Sequence, residues 1–159
     1  MIPGRRVSEV DAPAVQALFD DDPETYAILE GAPPRPDEAV QLMRELPPGV
    51  PPERRHFYLI DQLAVIDIID GYPDAQTWFL GLIFVARTAR GAGLGTQLIE
   101  ALCSHVRRAG GRALRLGVAV GNPRARSLYD RLGFLHVARR SRTNWSGATL
   151  EVDVLERAV

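Results

Sequence analysis

Residues 78–120 read WFLGLIFVARTARGAGLGTQLIEALCSHVRRAGGRALRLGVAV, and the reading of this stretch decides the fold. Trp78 to Ala86 is an apolar, strand-like run. Glycines at 91, 93 and 95 follow. Behind them Leu94, Leu98, Ala101, Leu102, Val106 and Ala109 recur at helical spacing until Gly110-Gly111 supplies a stop. Leu114, Leu116, Val118 and Val120 then alternate as a strand. The unit is therefore strand, glycine loop, helix, strand.

Working outward, Asn122 caps a further helix with Pro123 in its first turn and Gly133 at its end. Leu135 to Arg142 and Ala148 to Glu156 form a hairpin around Asn144-Trp145-Ser146-Gly147. Upstream, Phe57 to Asp61, Leu63 to Asp70 and Trp78 to Ala86 predict three neighbouring antiparallel strands. The turns between them are Asp61-Gln62 and Gly71-Tyr72-Pro73-Asp74. Arg5 to Val10 predicts a first strand. A helix then runs from its N-cap Asp11 through Val15, Leu18 and Phe19 until Asp20-Asp21-Asp22-Pro23 interrupts it. Helical pieces follow at Glu24 to Glu30 and Asp37 to Leu46, and residues 47–52 are too proline-rich for anything but an extended connector. The expected fold is α/β of the mixed α+β kind: a mostly antiparallel sheet of six to seven strands with helices on both faces. A single domain over residues 1–159 is expected, in which 78–134 form the cofactor-binding core and 1–55 a variable acceptor-side region.

Composition narrows the function. At 159 residues, 46% of them hydrophobic, the chain can close a substantial core. No apolar run reaches the roughly 20 residues of a membrane span, and no signal peptide is read at the start, so a cytoplasmic location without membrane partners is expected. The lone Cys103 and the absence of a Cys/His cluster predict neither disulfide nor metal. All 19 cationic residues are Arg. Residues 1–75 hold 15 acids against 6 Arg, and residues 76–159 hold 5 acids against 13 Arg. A basic C-terminal half suits an anionic cofactor and an acidic N-terminal half a cationic acceptor. The acidic half, with a pI near 6.3, argues against a nucleic-acid partner.

The glycine loop opens a helix, so its free N–H groups converge on one point and form an anion site. Three ligands compete for such a loop. A P-loop needs a Lys, which the chain lacks. A dinucleotide fingerprint needs a third glycine where Thr96 or Leu98 stands, and it belongs to the first strand–helix turn of its domain. The diphosphate of coenzyme A is the third, cradled by the N–H groups from Arg90 to Thr96 with the helix dipole behind them.

After the next strand comes Asn122-Pro123-Arg124-Ala125-Arg126-Ser127-Leu128-Tyr129-Asp130-Arg131-Leu132-Gly133-Phe134. Taken together, residues 83–134 resemble the cofactor half of the GNAT superfamily of N-acetyltransferases. Arg90-Gly91-Ala92-Gly93-Leu94-Gly95 matches [QR]-x-x-G-x-[GA], and Asn122, Ala125, Tyr129, Gly133 and Phe134 match N-x-x-A-x-x-x-Y-x-x-x-G-F. The resemblance implies acetyl-CoA as co-substrate, bound by Val85, Arg90, Gly91, Ala92, Gly93, Leu94, Gly95, Thr96, Asn122 and Tyr129. It implies that Val85 pairs its backbone with the pantetheine arm, that strand N–H groups polarise the acetyl carbonyl, and that Tyr129 protonates the departing thiolate. The acceptor is then a primary amine of a small molecule or peptide, acetylated directly in a ternary complex.

Many family members carry a Glu base on or near the strand before the loop, and Trp78 to Ala86 contains no acid. Asp67, Asp70 and Asp74, acting through water, remain as candidate bases; Asp67 stands inside an apolar strand, which is costly without a task or a partner. Tyr26, Tyr72 and Trp78 could line an acceptor pocket. Cys103 and His105 diverge on one helix, which leaves no nucleophile–base pair for an acyl-enzyme. The competing reading is a non-catalytic acyl-CoA sensor or interaction module. The oligomeric state stays open, a homodimer included.

Overall fold

Each apolar face of the chain finds cover on one side of a single sheet. The computed structural model describes residues 2–159. Its strands are β1 (Arg5–Val7), β2 (Arg55–Ile60), β3 (Ala64–Ile69), β4 (Thr77–Val85), β5 (Ala113–Ala119), β6 (Leu135–Thr143) and β7 (Thr149–Ala158). The helices are α1 (Ala12–Asp21), α2 (Pro23–Glu30), α3 (Glu38–Arg44), α4 (Leu94–Arg108) and α5 (Pro123–Arg131). The sheet order is β1-β2-β3-β4-β5-β7-β6, and only β4 and β5 run parallel. The parallel step follows from the sequence unit at 78–120, because a strand–helix–strand crossover returns the chain in its original direction. The mixed, mostly antiparallel sheet is thus as expected, at its seven-strand limit.

α4 and α5 cover one face. Leu98, Ile99, Leu102 and Val106 of α4 are buried against Leu114, Leu116, Ile66 and Ile68; removing each from water contributes about 1.5–3 kcal/mol. On the other face Val15, Phe19, Tyr26 and Ala39 of α1–α3 cover Phe57, Val65, Leu82 and Phe84. Phe19, Tyr26 and Phe84 meet as a trio with ring centroids 4.6–6.1 Å apart.

Several boundaries differ from the sequence expectation, each for a local reason. β1 stops at Val7 because Ser8 and Asp11 exchange bonds: Ser8 N–H donates to the Asp11 carboxylate at 3.0 Å and Asp11 N–H to the Ser8 carbonyl at 2.9 Å. The acidic run does not break α1 until Asp22, whose side chain accepts from Thr25 N–H at 3.3 Å and so caps α2. α3 ends at Arg44, since Pro47 disfavours helical backbone at the residue before it. No helix among the described residues is long and apolar enough to cross a membrane.

Candidate active site

The parallel seam closes over only part of its length. Thr77 to Leu80 of β4 pair with Ala113 to Leu116 of β5, and beyond that register the strands part. A β-bulge sits at the parting point: Asp67 faces Leu82 and Ile68 faces Leu80, which leaves Gly81 as the extra residue on β4. The mouth so opened is lined by Glu30, Leu80 to Ile83, Leu116 to Ala119, Ala125 and Tyr129. Ala86 N–H bonds to the Leu63 carbonyl at 2.6 Å on the β3 side. Strand alternation therefore turns the N–H and C=O groups of Ile83 and Val85 the other way, into the cleft. The Val85 carbonyl accepts from Arg90 Nε at 3.0 Å; an extended ligand arm can pair with the remaining N–H and C=O groups of that edge as an added strand.

Immediately after β4 comes the glycine loop. Gly91 and Gly93 adopt φ of +83° and +82°, and Gly93 is the N-cap of α4. A side chain at either position would strain the backbone. A Cβ at Gly91, Gly93 or Gly95 would meet nothing within 4 Å, so the space above the loop is open to a ligand. Gly91, Ala92 and Gly93 are exposed and Leu94, Gly95 and Thr96 half-buried at the start of a fifteen-residue helix. This arrangement fits a diphosphate group.

Two titratable side chains enter the cleft from opposite faces of the sheet. Tyr129 projects from α5 and packs edge-on to Phe134 at 5.5 Å between centroids. Burial pushes its phenol up to about 12, so it holds its proton throughout the neutral range. Glu30 ends α2 on the other side. Burial raises its carboxyl, Arg142 at 2.9 Å draws it back down, and the charges of Glu38 and Asp67 push it up again, leaving it above the ordinary range. Asn144 Nδ2 donates to the Glu30 carbonyl at 3.2 Å, so the β6–β7 hairpin holds the end of α2 in place.

The other residues singled out in the sequence lie elsewhere. Asp67 is 2% exposed and does not line the cleft; Arg55 Nε and Nη2 hold its two carboxylate oxygens at 2.9 and 2.6 Å. Burial nonetheless raises its carboxyl more than Arg55 lowers it. Its apparent cost as a lone buried acid is thus met by a partner on the neighbouring strand. Asp70 bonds His56 Nε2 at 2.7 Å and is likewise absent from the cleft. Tyr26 is fully buried in the aromatic trio, where burial and the charges of Glu30 and Glu38 raise its phenol far above its usual value. Tyr72 packs on Phe79 and Trp78 between His56 and His105, so none of the three tyrosine and tryptophan candidates lines this cleft. Asn122 caps α5 by accepting from Ala125 N–H at 3.2 Å. Sequence reasoning missed Glu30, although its place as the last residue of an expected helix, directly before Gly31, was visible.

Comparison with known proteins agrees with this geometry. The model of the Acetyltransferase (GNAT) family matches residues 15–134. A protein of Bacillus subtilis (strain 168) described as "Uncharacterized N-acetyltransferase YobR" is 32% identical over 116 residues, 70% of this chain and 44% of that protein. The "5-NmdU N-acetyltransferase" of Pseudomonas phage PaMx11 is 44% identical over 62 residues, 39% of this chain and 40% of its own length. The chain thus spans less than half the length of the curated relatives it matches. Among solved structures, an acetyltransferase from Thermus thermophilus superposes with a TM-score of 0.72 at 24% identity, covering 97% of this chain and 94% of that one. An N-acetyltransferase from Staphylococcus aureus Mu50 gives 0.67 at 20% identity, with 97% and 96% covered. With three quarters of its length inside the family match, the chain belongs to the GNAT acetyltransferase family.

Proposed function

We propose that this protein transfers an acetyl group from acetyl-CoA to a primary amine of a small molecule or peptide, directly within a ternary complex. The observation that carries the reading is the placing of Glu30 and Tyr129, a base and an acid, on opposite walls of one cleft beside a free strand edge. Gly91 to Thr96 would hold the diphosphate, and the cleft edge of Ile83 and Val85 the pantetheine arm. Acetyl-CoA, when bound, supplies an acyl carbon activated as a thioester.

The protein's own groups then handle the protons. Glu30, its affinity for a proton raised by burial, takes one from the incoming ammonium, so that a neutral amine attacks. The cleft-facing N–H of Ile83, left to the acyl group where Val85 pairs with the pantetheine arm, stabilises negative charge on the acyl oxygen. As the carbon–sulfur bond breaks, Tyr129 donates its proton to sulfur; the nitrogen, cationic after attack, releases its second proton to solvent, from which Tyr129 is reprotonated and to which Glu30 returns the proton it took. Glu30 also gives a cationic acceptor a carboxylate to pair with in an otherwise apolar mouth.

A free-thiol release assay with acetyl-CoA across a panel of primary amines, comparing native protein with Tyr129→Phe, tests this reading. Turnover that collapses on substitution while acetyl-CoA still binds supports it. Tight acetyl-CoA binding without turnover on any amine would replace it with the sensor reading.

A further inference from the structure

The side chain of Arg90 turns away from the open space above its own loop. Its Nε donates to the Val85 carbonyl at 3.0 Å and its Nη1 to Thr25 Oγ1 at 3.0 Å, with Asp22 Oδ2 2.5 Å from Nη1. The guanidinium also lies over the Phe84 ring, 5.7 Å from its centroid. Asp22 is 4% exposed. Arg87 reinforces the junction, donating to the Asp21 carbonyl at 2.9 Å and standing 3.5 Å from Asp22 Oδ1. One side chain thereby joins the cleft edge of β4, the start of the glycine loop and the first turn of α2.

α2 has eight residues, too short to hold itself together, so its position depends on what ties its ends. Asp22 and Thr25 tie the first turn to Arg90, and Asn144 and Arg142 tie the last turn at Glu30. The helix is a rod of about 12 Å with the glycine loop at one end and the proposed base at the other. At the first junction Asp22 Oδ2 lies 2.5 Å from Arg90 Nη1, and Arg90 Nη2 is buried without a hydrogen-bond partner.

We infer that Arg90 and Asp22 are positioning residues through which filling of the glycine loop fixes α2, and with it Glu30, so that the acceptor site is completed by donor binding. The inference rests on the reading of the loop as a coenzyme A site. A ligand diphosphate held by the loop N–H groups immobilises the backbone of residue 90, and the guanidinium passes that restraint to the cap of α2. By reciprocity, ordering α2 tightens the grip on the ligand.

Amide hydrogen exchange over residues 24–30, with and without coenzyme A, combined with calorimetric binding of coenzyme A, tests this. In the native protein, saturating coenzyme A should slow exchange in α2 roughly tenfold, within the span typical of coupled sites. Asp22→Asn keeps a capping side chain but removes the charge; Arg90→Lys keeps the charge but loses the fork. Both should retain the exchange protection of α4 and β3, with the ligand-dependent slowing in α2 reduced to less than about twofold, and Asp22→Asn, which leaves the loop itself intact, should still saturate with coenzyme A but bind it more weakly by about the coupling factor lost. A merely structural role would lower α2 protection equally in the free and bound states and leave the ratio intact, which would overturn the inference. So would unaltered slowing in both variants, or none in the native protein. If coenzyme A fails to bind the native protein at all, the reading of the loop falls and this inference with it.

Discussion

The carboxylate of Asp67 occupies the place where a side chain at Gly81 would begin: a Cβ built there lies 2.5 Å from Asp67 Oδ2. Arg55 clamps the carboxylate from below, so it has little room to retreat. The buried ion pair of β2 and β3 and the bulge that opens the cleft are in this way one unit, and Gly81→Ala forces them apart. The substitution should cost about 1–3 kcal/mol, as overpacking of a filled site does. Urea unfolding measures it, and an unchanged midpoint would mean that Asp67 swings away freely.

Breaking the same unit from the other side should cost more. Arg55→Ala leaves a buried carboxylate without its cation, for which about 3–5 kcal/mol is the usual penalty. Asp67→Asn in the Arg55→Ala background should recover part of the loss, since no charge then remains buried. Paired denaturation curves of the single and double variants check this.

Tyr129→Phe should lower kcat by roughly 10²-fold or more, the scale of a lost general acid, with the acetyl-CoA dissociation constant nearly unchanged. Because burial holds the Tyr129 phenol near 12, the native enzyme should show no alkaline loss of activity from this group below about pH 11. A pH–rate profile with a Tyr129-dependent fall near pH 9 would contradict the assignment.

Glu30 predicts the opposite limb. A base must be unprotonated to act, and burial raises this carboxyl, so kcat/KM should rise with pH through a value above the ordinary glutamate range. Arg142 opposes that shift; Arg142→Gln should therefore move the limb to still higher pH. Glu30→Gln should remove the limb and cost roughly 10²-fold in kcat/KM.

At the far side of the sheet Asp153 accepts from Arg139 Nε at 2.8 Å, Arg126 Nη1 at 3.0 Å and, through the imidazole, meets His136 at 3.0 Å. The Arg139 bond above all holds its carboxyl down to about 2, against 3.8 unperturbed. A depressed carboxylate contributes its stability above the unfolded value and loses it as pH falls through the folded one. The contribution should be present above pH 4 and disappear between about pH 4 and 2. Discounted for the exposure of Arg139 and His136, it is about 1–2 kcal/mol. Asp153→Asn should show that deficit at pH 7 and converge with the native protein near pH 2.

The fold around the glycine loop was legible in the sequence because its demands are local. Positive φ needs glycine at 91 and 93, α5 needs Asn122 as its cap, and the strand–helix–strand unit forces β4 and β5 parallel. The opposite wall of the cleft was not, because its residues meet only through the tertiary fold. Glu30 and Tyr129 line one cleft where two strands part, and nothing in residues 23–30 announces that parting. Asp67 looked like a base because an acid inside an apolar strand is costly; its partner Arg55, twelve residues earlier, lies where the register of β2 on β3 puts it. Aromatic residues misled for a related reason. Tyr26 and Trp78 fill the layers beneath the site, and their size alone could not separate that role from contact with a ligand.

The short register between β4 and β5 also divides the sheet into an earlier and a later part of the chain. Every strand to one side of the seam apart from β4 itself comes from residues before 70, and every strand to the other side from residues after 112. Four residue pairs join the two halves of the sheet, and the functional ties across the boundary are few: Arg90 to Asp22, Arg142 and Asn144 to Glu30. A strain applied to the helical cover of α1–α3 would therefore reach the β5–β7 side of the sheet mainly through those few side chains and the four residue pairs of the seam.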